Sequence, residues 1–238
     1  MIPGRNTERD GVARELSLDV DGVEPAGTLG LPMNPKGLVL FAHGSGSSRH
    51  SPRNRYVAEV LHSRGLATLL FDLLTRDEES ADQRTAALRF DIALLARRLS
   101  SATRSIMRNP DMRNLKVGYF GASTGAGAAL VAAAALPNTV AAIVSRGGRP
   151  DLAMEALGSV RAPTLLIVGA NDEPVIELNR QALAELRCHE KRLVIVPGAT
   201  HLFEEPGKLE EVARLAAEWF TKYLAPVSRP PERASVHR

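Results

Sequence analysis

The feature that most constrains this chain is a tight turn between an apolar run and an alanine-rich run, within residues 115–136. Residues 117–120 predict a short buried strand, and the alanine-rich run predicts a helix. Between them, five residues fit the pattern G-x-S-x-G with Ser123 at its centre. The flanking Gly121 and Gly125 suit a place where strand and helix pass too close for side chains. This setting favours a strained turn that holds the Ser123 hydroxyl above the sheet edge, over an ordinary glycine-rich turn.

Alternating strand and helix patterns run along the rest of the chain. Strands are predicted at residues 14–20, 26–31, 38–42, 67–72, 140–144, 164–169 and 192–196. Helices are predicted at residues 52–64, 82–107, 152–157, 175–186 and 209–224, with a charged loop at 73–80. Such alternation is typical of parallel strands joined by right-handed helical crossovers. We therefore predict an α/β fold: a doubly wound, mostly parallel sheet of about seven to eight strands, flanked by helices, with a hairpin at one edge.

The length predicts one domain. A chain of 238 residues suits a single α/β domain, which we assign to residues 14–224. Residues 1–13 are expected to be a polar lead-in, and the proline- and arginine-rich residues 225–238 a disordered tail. Only about 18 residues separate the strands that end near Ser145 and begin near Thr164, which excludes a large cap domain there.

Composition and missing motifs exclude several classes of function. The formal net charge is +3, only 4% of residues are aromatic, and no lysine/arginine stripe appears, so we expect neither a nucleic-acid nor a membrane partner. A polar N-terminus without a signal-peptide core predicts a cytoplasmic protein. The single cysteine, Cys188, excludes an intramolecular disulfide. The sequence has no P-loop lysine, no dinucleotide fingerprint and no metal spacing, so we expect no cofactor and no metal.

Polar residues follow several predicted strands. In an open parallel sheet, the groups that do chemistry collect at the carboxyl ends of strands. Ser123, Asp172 and His201 follow three such strands, in the chain order of the α/β-hydrolase triad. The chain resembles the α/β-hydrolase superfamily and, within it, the small dienelactone-hydrolase-like branch, on the segments HGSGSSRHSPRN and SRGGRPDL. The resemblance covers residues 14–224. Some similar proteins are joined to a phosphoribosyltransferase domain, for which this length leaves no room.

The resemblance implies a serine hydrolase, and the chemistry explains the residue types. A serine hydroxyl is a poor nucleophile at neutral pH, so Ser123 needs a base within reach, which His201 supplies. Asp172 orients the imidazole and stabilises it once protonated. For Asp172, a simple helix N-cap is the rival interpretation, with Glu173 as the nearest substitute. His43 is expected to be a structural loop histidine.

Two backbone N–H groups are expected to stabilise the oxyanion of an acyl-transfer intermediate. The residue after the nucleophile, Thr124, supplies one of them. The His-Gly-x pattern after the first central strand points to Ser45 for the other, with Gly46 as the second choice.

We expect the substrate to be a small soluble ester that binds at an exposed or shallow site. Arg146 and Arg149 follow a strand on the predicted side of the triad, and one of them could bind a substrate carboxylate or phosphate. The rival interpretation is a surface ion pair or loop anchor. Arg49 and Arg53 are weaker candidates of the same kind. A thioesterase, lactonase or amidase would use the same machinery, and a non-catalytic binding protein is the alternative class. The state of assembly is expected to be monomer or homodimer.

Overall fold

The computed structural model describes residues 13–226. The predicted lead-in and disordered tail fall almost entirely outside these residues. Eight strands form one sheet: β1 (Ala13–Ser17), β2 (Ala26–Gly30), β3 (Leu38–Ala42), β4 (Ala67–Phe71), β5 (Val117–Ala122), β6 (Val140–Arg146), β7 (Thr164–Gly169) and β8 (Lys191–Val196). Their order across the sheet is β1-β2-β4-β3-β5-β6-β7-β8. The strands β3 to β8 pair in parallel, whereas β2 is antiparallel to both β1 and β4. The predicted doubly wound sheet and its edge hairpin are thereby confirmed.

Helices cover both faces of this sheet. They are α1 (Pro52–Ser63), α2 (Arg76–Thr85), α3 (Ile92–Met107), α4 (Thr124–Ala135), α5 (Met154–Leu157), α6 (Glu173–Glu185) and α7 (Lys208–Leu224). One apolar layer packs beneath α3 and α4, and a second packs beneath α1 and α7. The strands β3, β4, β5 and β7 are buried along their whole length because both faces are covered. Within residues 13–226, no helix combines the length and apolar character needed to cross a bilayer.

The prediction of one long helix over residues 82–107 is wrong. Instead, α2 begins at Arg76, inside the predicted charged loop, and ends before Ala86, which has a φ of 54°. A capping box between Thr75 and Glu78 starts α2, and its T-x-x-E signature is visible in the sequence. The break after α2 is stabilised by Asp82, whose carboxylate accepts hydrogen bonds from the backbone N–H of the two residues that follow Ala87. A short 3₁₀ turn then leads into α3.

Candidate active site

The turn between β5 and α4 has the strained geometry that its sequence predicts. Ser123 has a φ of 50° and a ψ of −122°, a backbone conformation that side-chain-bearing residues rarely adopt. A Cβ at Gly125 would lie 2.2 Å from the Ala42 carbonyl oxygen, and one at Gly121 would lie 2.4 Å from the Ala126 Cα. Both positions therefore require glycine. The close approach of β3, β5 and α4 fixes the Ser123 side chain at the carboxyl end of the sheet.

A carboxylate–imidazole pair lies at the ends of β7 and β8. Asp172 Oδ2 is 2.6 Å from His201 Nδ1, and the two side chains are 14% and 37% exposed. Asp172 occupies the N-cap position of α6, yet its side chain makes no capping hydrogen bond. The rival N-cap interpretation of Asp172 is therefore wrong. Because a carboxylate can only accept, His201 donates through Nδ1–H, which leaves the lone pair of Nε2 available to accept a proton.

The end of β6 connects this pair to the serine. The Ser123 N–H donates to the Arg146 carbonyl at 3.2 Å. The next residue, Gly147, lies against the imidazole, since a Cβ there would be 3.4 Å from His201 Nδ1. In residues 13–226, no hydrogen bond joins the Ser123 hydroxyl to the His201 ring. Catalytic hydrogen bonds are often long without substrate and shorten in the substrate complex.

The loop that carries His201 is held by residues that the sequence analysis did not select. Phe203 is fully buried and has a φ of 58°, so its ring anchors a strained backbone two residues after the imidazole. The Thr200 N–H donates to Glu205 at 3.1 Å. Hydrogen bonding with Thr200, chiefly with its side chain, lowers the pKa of Glu205. Glu204, although exposed, pairs at 2.6 Å with Arg53, one of the two weaker substrate candidates, so Arg53 is engaged by a surface ion pair. The residues that make these contacts follow no periodic pattern in the sequence. The contacts could therefore be identified only in the folded structure.

The loop after β3 approaches the elbow closely. A Cβ at Gly44 would lie 3.1 Å from the Ser123 Cβ. The N–H of Ser45, predicted to face an oxyanion, donates to the Thr124 hydroxyl oxygen at 2.9 Å. The Ser45 N–H therefore already has a side-chain acceptor in this structure, because the loop after β3 and the elbow are in contact. The Thr124 N–H belongs to the first residue of α4 and has no acceptor within the helix.

The His43 ring stabilises this loop through two hydrogen bonds. Its Nε2 accepts the Leu73 N–H at 3.1 Å, and its Nδ1 donates to the Gly44 carbonyl at 3.0 Å. Burial lowers the pKa of His43, which keeps the ring neutral and both contacts intact. Nearby, Asp72 accepts hydrogen bonds from the Arg49 backbone and side chain, so Arg49 is occupied as a loop anchor. These contacts agree with the structural role expected for His43.

The two arginines predicted to face a substrate differ in their surroundings. Arg149 makes two hydrogen bonds to Asp151, at 2.8 and 2.7 Å, and the bond to this carboxylate raises its pKa. Arg149 is therefore a loop anchor. Arg146 is only 7% exposed, and no carboxylate in residues 13–226 pairs with it. Burial, reinforced by the charge of Arg53, lowers the pKa of Arg146 to about 10.

Two concave regions lie near these elements. A cavity of about 220 Å³ opens between the loop after β3 and α2, with Leu73 and Leu95 among its apolar lining and Glu79 and Gln83 among its polar lining. A groove of about 990 Å³ lies between α1 and the antiparallel edge of the sheet, away from Ser123. Ser123, which is partly exposed, lines neither of these two cavities. No cluster of three or more metal-ligating His, Cys, Asp or Glu side chains occurs in residues 13–226.

This sheet order, with a strained serine at the β5–α4 elbow and an Asp–His pair at the ends of the last two strands, has the architecture of the α/β-hydrolase class. More narrowly, the chain belongs to the dienelactone hydrolase family, whose model matches residues 26–226.

Individual relatives agree with the family. The chain is 63% identical to a dienelactone hydrolase from Anabaena variabilis of known crystal structure, with a TM-score of 0.89, and the match covers 90% of this chain and 99% of that one. An esterase from Butyrivibrio proteoclasticus, Est1E, shares the fold at 17% identity and a TM-score of 0.74, over 87% of this chain and 98% of that one. A Mycobacterium tuberculosis H37Rv protein, provisionally named phosphoribosyl transferase, is 60% identical over 88% of this chain. The chain spans only 46% of that protein's length.

Proposed function

We propose that this protein is a serine hydrolase that cleaves small soluble carboxylic esters through an acyl-enzyme on Ser123. The observation that carries the proposal is the 2.6 Å contact between Asp172 and His201, which fixes the imidazole tautomer at the end of the sheet where the strained Ser123 also lies. The family and its solved members support hydrolysis in general. The choice of nucleophile, base and ester substrate is our inference from this geometry.

Acylation follows from the arrangement of the three side chains. Nε2 of His201 removes the proton of Ser123 as its Oγ attacks the ester carbonyl carbon, and the carbonyl π electrons move onto oxygen. Asp172 stabilises the imidazolium that forms, without itself taking the proton. When the tetrahedral intermediate collapses, the ester C–O bond breaks and His201 returns the proton to the departing alkoxide.

Deacylation repeats the same steps with water. His201 deprotonates a water molecule that attacks the acyl carbon, and the proton then goes to Ser123 Oγ as the acyl bond breaks. The leaving alcohol takes the Ser123 proton through His201, and a water proton then restores the serine. The proposed reaction therefore needs no cofactor.

Thioesters, lactones and amides remain within the same proposal, because one acyl-transfer apparatus can act on all of them. The similarity to a dienelactone hydrolase makes lactones a substrate class to include in any screen. The transferase name belongs to a protein about twice as long, and we propose hydrolysis for the part that this chain matches. A non-catalytic binding protein is the alternative from another class.

The proposal is tested by covalent labelling and turnover. An organophosphate or sulfonyl fluoride should label one residue stoichiometrically, and peptide mass spectrometry should place the adduct on Ser123. A screen of p-nitrophenyl esters of increasing acyl length, together with thioesters and lactones, should then show turnover that the label abolishes. Stoichiometric binding of a ligand, without labelling of Ser123 and without turnover, would support the binding-protein alternative instead.

We further propose that Arg146 favours substrates with a negatively charged group. A buried guanidinium without a carboxylate is costly unless an anion joins it, and Arg146 lies next to Ser123 through their backbone hydrogen bond. Wild-type enzyme should hydrolyse the p-nitrophenyl hemiester of succinic acid better than p-nitrophenyl butyrate. Arg146→Met should lower kcat/KM for the charged ester by about tenfold to a hundredfold, the size of one charge-assisted hydrogen bond.

Arg149→Met provides the matched control. It removes the same charge from the same loop, but from a guanidinium that Asp151 already neutralises. The ratio of rates for the charged and neutral esters should stay close to that of the wild type. An equal loss on both esters in Arg146→Met would assign Arg146 to loop stability and would contradict a role in substrate charge.

A further inference from the structure

The Thr124 side chain occupies an unusual position beside the nucleophile. Its hydroxyl oxygen accepts the Ser45 N–H at 2.9 Å, so it lies where that N–H would otherwise meet a substrate oxygen. The residue is only 2% exposed. Within residues 13–226, the Thr124 hydroxyl donates to no acceptor. A buried O–H proton without an acceptor, next to a serine nucleophile, can bond to an oxygen that appears only during the reaction.

We propose that the Thr124 hydroxyl is itself an oxyanion donor that links the Ser45 N–H to the substrate. This inference rests on the proposed hydrolase function. In the tetrahedral intermediate, the former carbonyl oxygen would accept two hydrogen bonds from one residue, the Thr124 N–H and the Thr124 O–H. The Ser45 N–H would act indirectly, by polarising the hydroxyl that accepts from it.

The proposed hydrogen bond from the Thr124 hydroxyl to the oxyanion needs no additional proton transfer and is physically favourable. No proton leaves Thr124, which only donates a hydrogen bond while the Ser123 proton moves to His201. A hydroxyl that already accepts a hydrogen bond becomes a stronger donor, because successive hydrogen bonds polarise one another. The donor is also preorganised, since the His43 ring in the loop after β3 bonds to the Gly44 carbonyl and, through the Leu73 N–H, to the segment after β4. Preorganised donors aimed at developing charge account for much of enzymatic rate enhancement.

A rival arrangement predicts the opposite effect. If the Ser45 N–H must bond directly to the oxyanion, then the Thr124 hydroxyl competes with the substrate for that donor. Removal of the hydroxyl would free Ser45 and leave the rate unchanged or higher. The two arrangements therefore differ in the sign of one measurable effect, which is the change in kcat on loss of the hydroxyl.

Thr124→Val removes the hydroxyl at nearly constant volume, and Thr124→Ser retains it. With the best ester found in the screen, Thr124→Val should lower kcat by about a hundredfold to a thousandfold, as loss of one oxyanion donor does, with little change in KM. Thr124→Ser should retain kcat to within about tenfold. A boronic acid that forms a tetrahedral adduct on Ser123 should lose affinity for Thr124→Val in proportion to kcat, a readout that a packing defect would not match.

Thr103→Val is the matched control for losing a buried threonine hydroxyl. Thr103 lies in α3, and its hydroxyl bonds to Tyr119 at 2.7 Å and to the Leu99 carbonyl at 2.8 Å, not to the elbow residues. This variant should be less stable in thermal unfolding and yet retain wild-type kcat. If Thr124→Val does not fold, the Thr124→Ser and Thr124→Ala pair replaces it, and only the serine variant should be active.

The outcomes separate this inference from the proposed function. If the wild type is neither labelled at Ser123 nor active on any ester, thioester or lactone, the hydrolase proposal fails and the role of Thr124 fails with it. If the wild type is labelled and active, but Thr124→Val matches or exceeds its kcat, the proposed function stands. The hydroxyl is then a competitor for Ser45, and our inference is overturned.

Discussion

Replacement of Ser123 by alanine should lower kcat for ester hydrolysis by about four to six orders of magnitude, the loss expected when a triad nucleophile is removed. The effect is large because Ser123 holds the strained backbone position of the elbow between β5 and α4, whereas the neighbouring Thr124 hydroxyl accepts the Ser45 N–H. KM should change little, since alanine leaves the backbone donors around residue 123 in place. Single-turnover and steady-state assays with a p-nitrophenyl ester would measure the change, and the serine-directed label should disappear.

Ser63→Ala is the control for this substitution. Ser63 is an exposed serine at the end of α1, and its hydroxyl donates to the Val60 carbonyl in the same helix. The Ser63 variant should keep wild-type turnover and labelling. Full activity in Ser123→Ala would contradict an acyl-enzyme on Ser123. Hydrolysis would then have to proceed through another nucleophilic residue or by direct attack of water.

The elbow could be predicted from the sequence because its requirements are local. Five consecutive residues encode the turn, and a buried strand and an alanine-rich helix flank it. The steric need for Gly121 and Gly125 follows from the same short segment and is met in the structure. The parallel sheet was predictable for a related reason, because strand and helix patterns alternate along the chain.

Helix boundaries and side-chain partners were harder to predict. The break between α2 and α3 depends on the Asp82 carboxylate, which stabilises the turn through N–H groups six and seven residues further along. The helical spacing of apolar residues begins at Leu88, inside this break, so the pattern indicated one helix that runs through it. Likewise, Asp172, two residues before Pro174, fits both an N-cap and a catalytic acid. Only the 2.6 Å contact of Asp172 with His201 separates these interpretations.

The contacts around the nucleophile were equally hard to predict from the sequence. Ser45 and Thr124 are 79 residues apart, and their hydrogen bond depends on how closely β3 and the start of α4 approach each other. Arg146 and Arg149 look equivalent in the sequence, because they are three residues apart in a glycine-rich segment that follows a predicted strand. The fold distinguishes them, since Asp151 neutralises Arg149, whereas Arg146 is buried at the end of β6 without a carboxylate partner in the described part of the chain.

Asp172→Asn should lower kcat by about four orders of magnitude while leaving the fold unchanged. The carboxylate can only accept from His201 Nδ1–H, and this fixes the tautomer whose Nε2 accepts the serine proton. An asparagine amide can instead donate to Nδ1, which places the imidazole proton on Nε2, where it blocks proton transfer from Ser123. Asparagine also carries no charge to stabilise the imidazolium.

Glu173→Gln distinguishes this mechanism from a general effect of acidic charge near α6. Glu173 is the adjacent carboxylate and is exposed at the first turn of the same helix. Its neutralisation should leave kcat within about twofold, because it makes no contact with the imidazole that the tautomer requires. If Asp172→Asn retained activity and Glu173→Gln lost it, Glu173 would be the residue that orients His201 during the reaction. The 2.6 Å contact would then belong only to the resting enzyme.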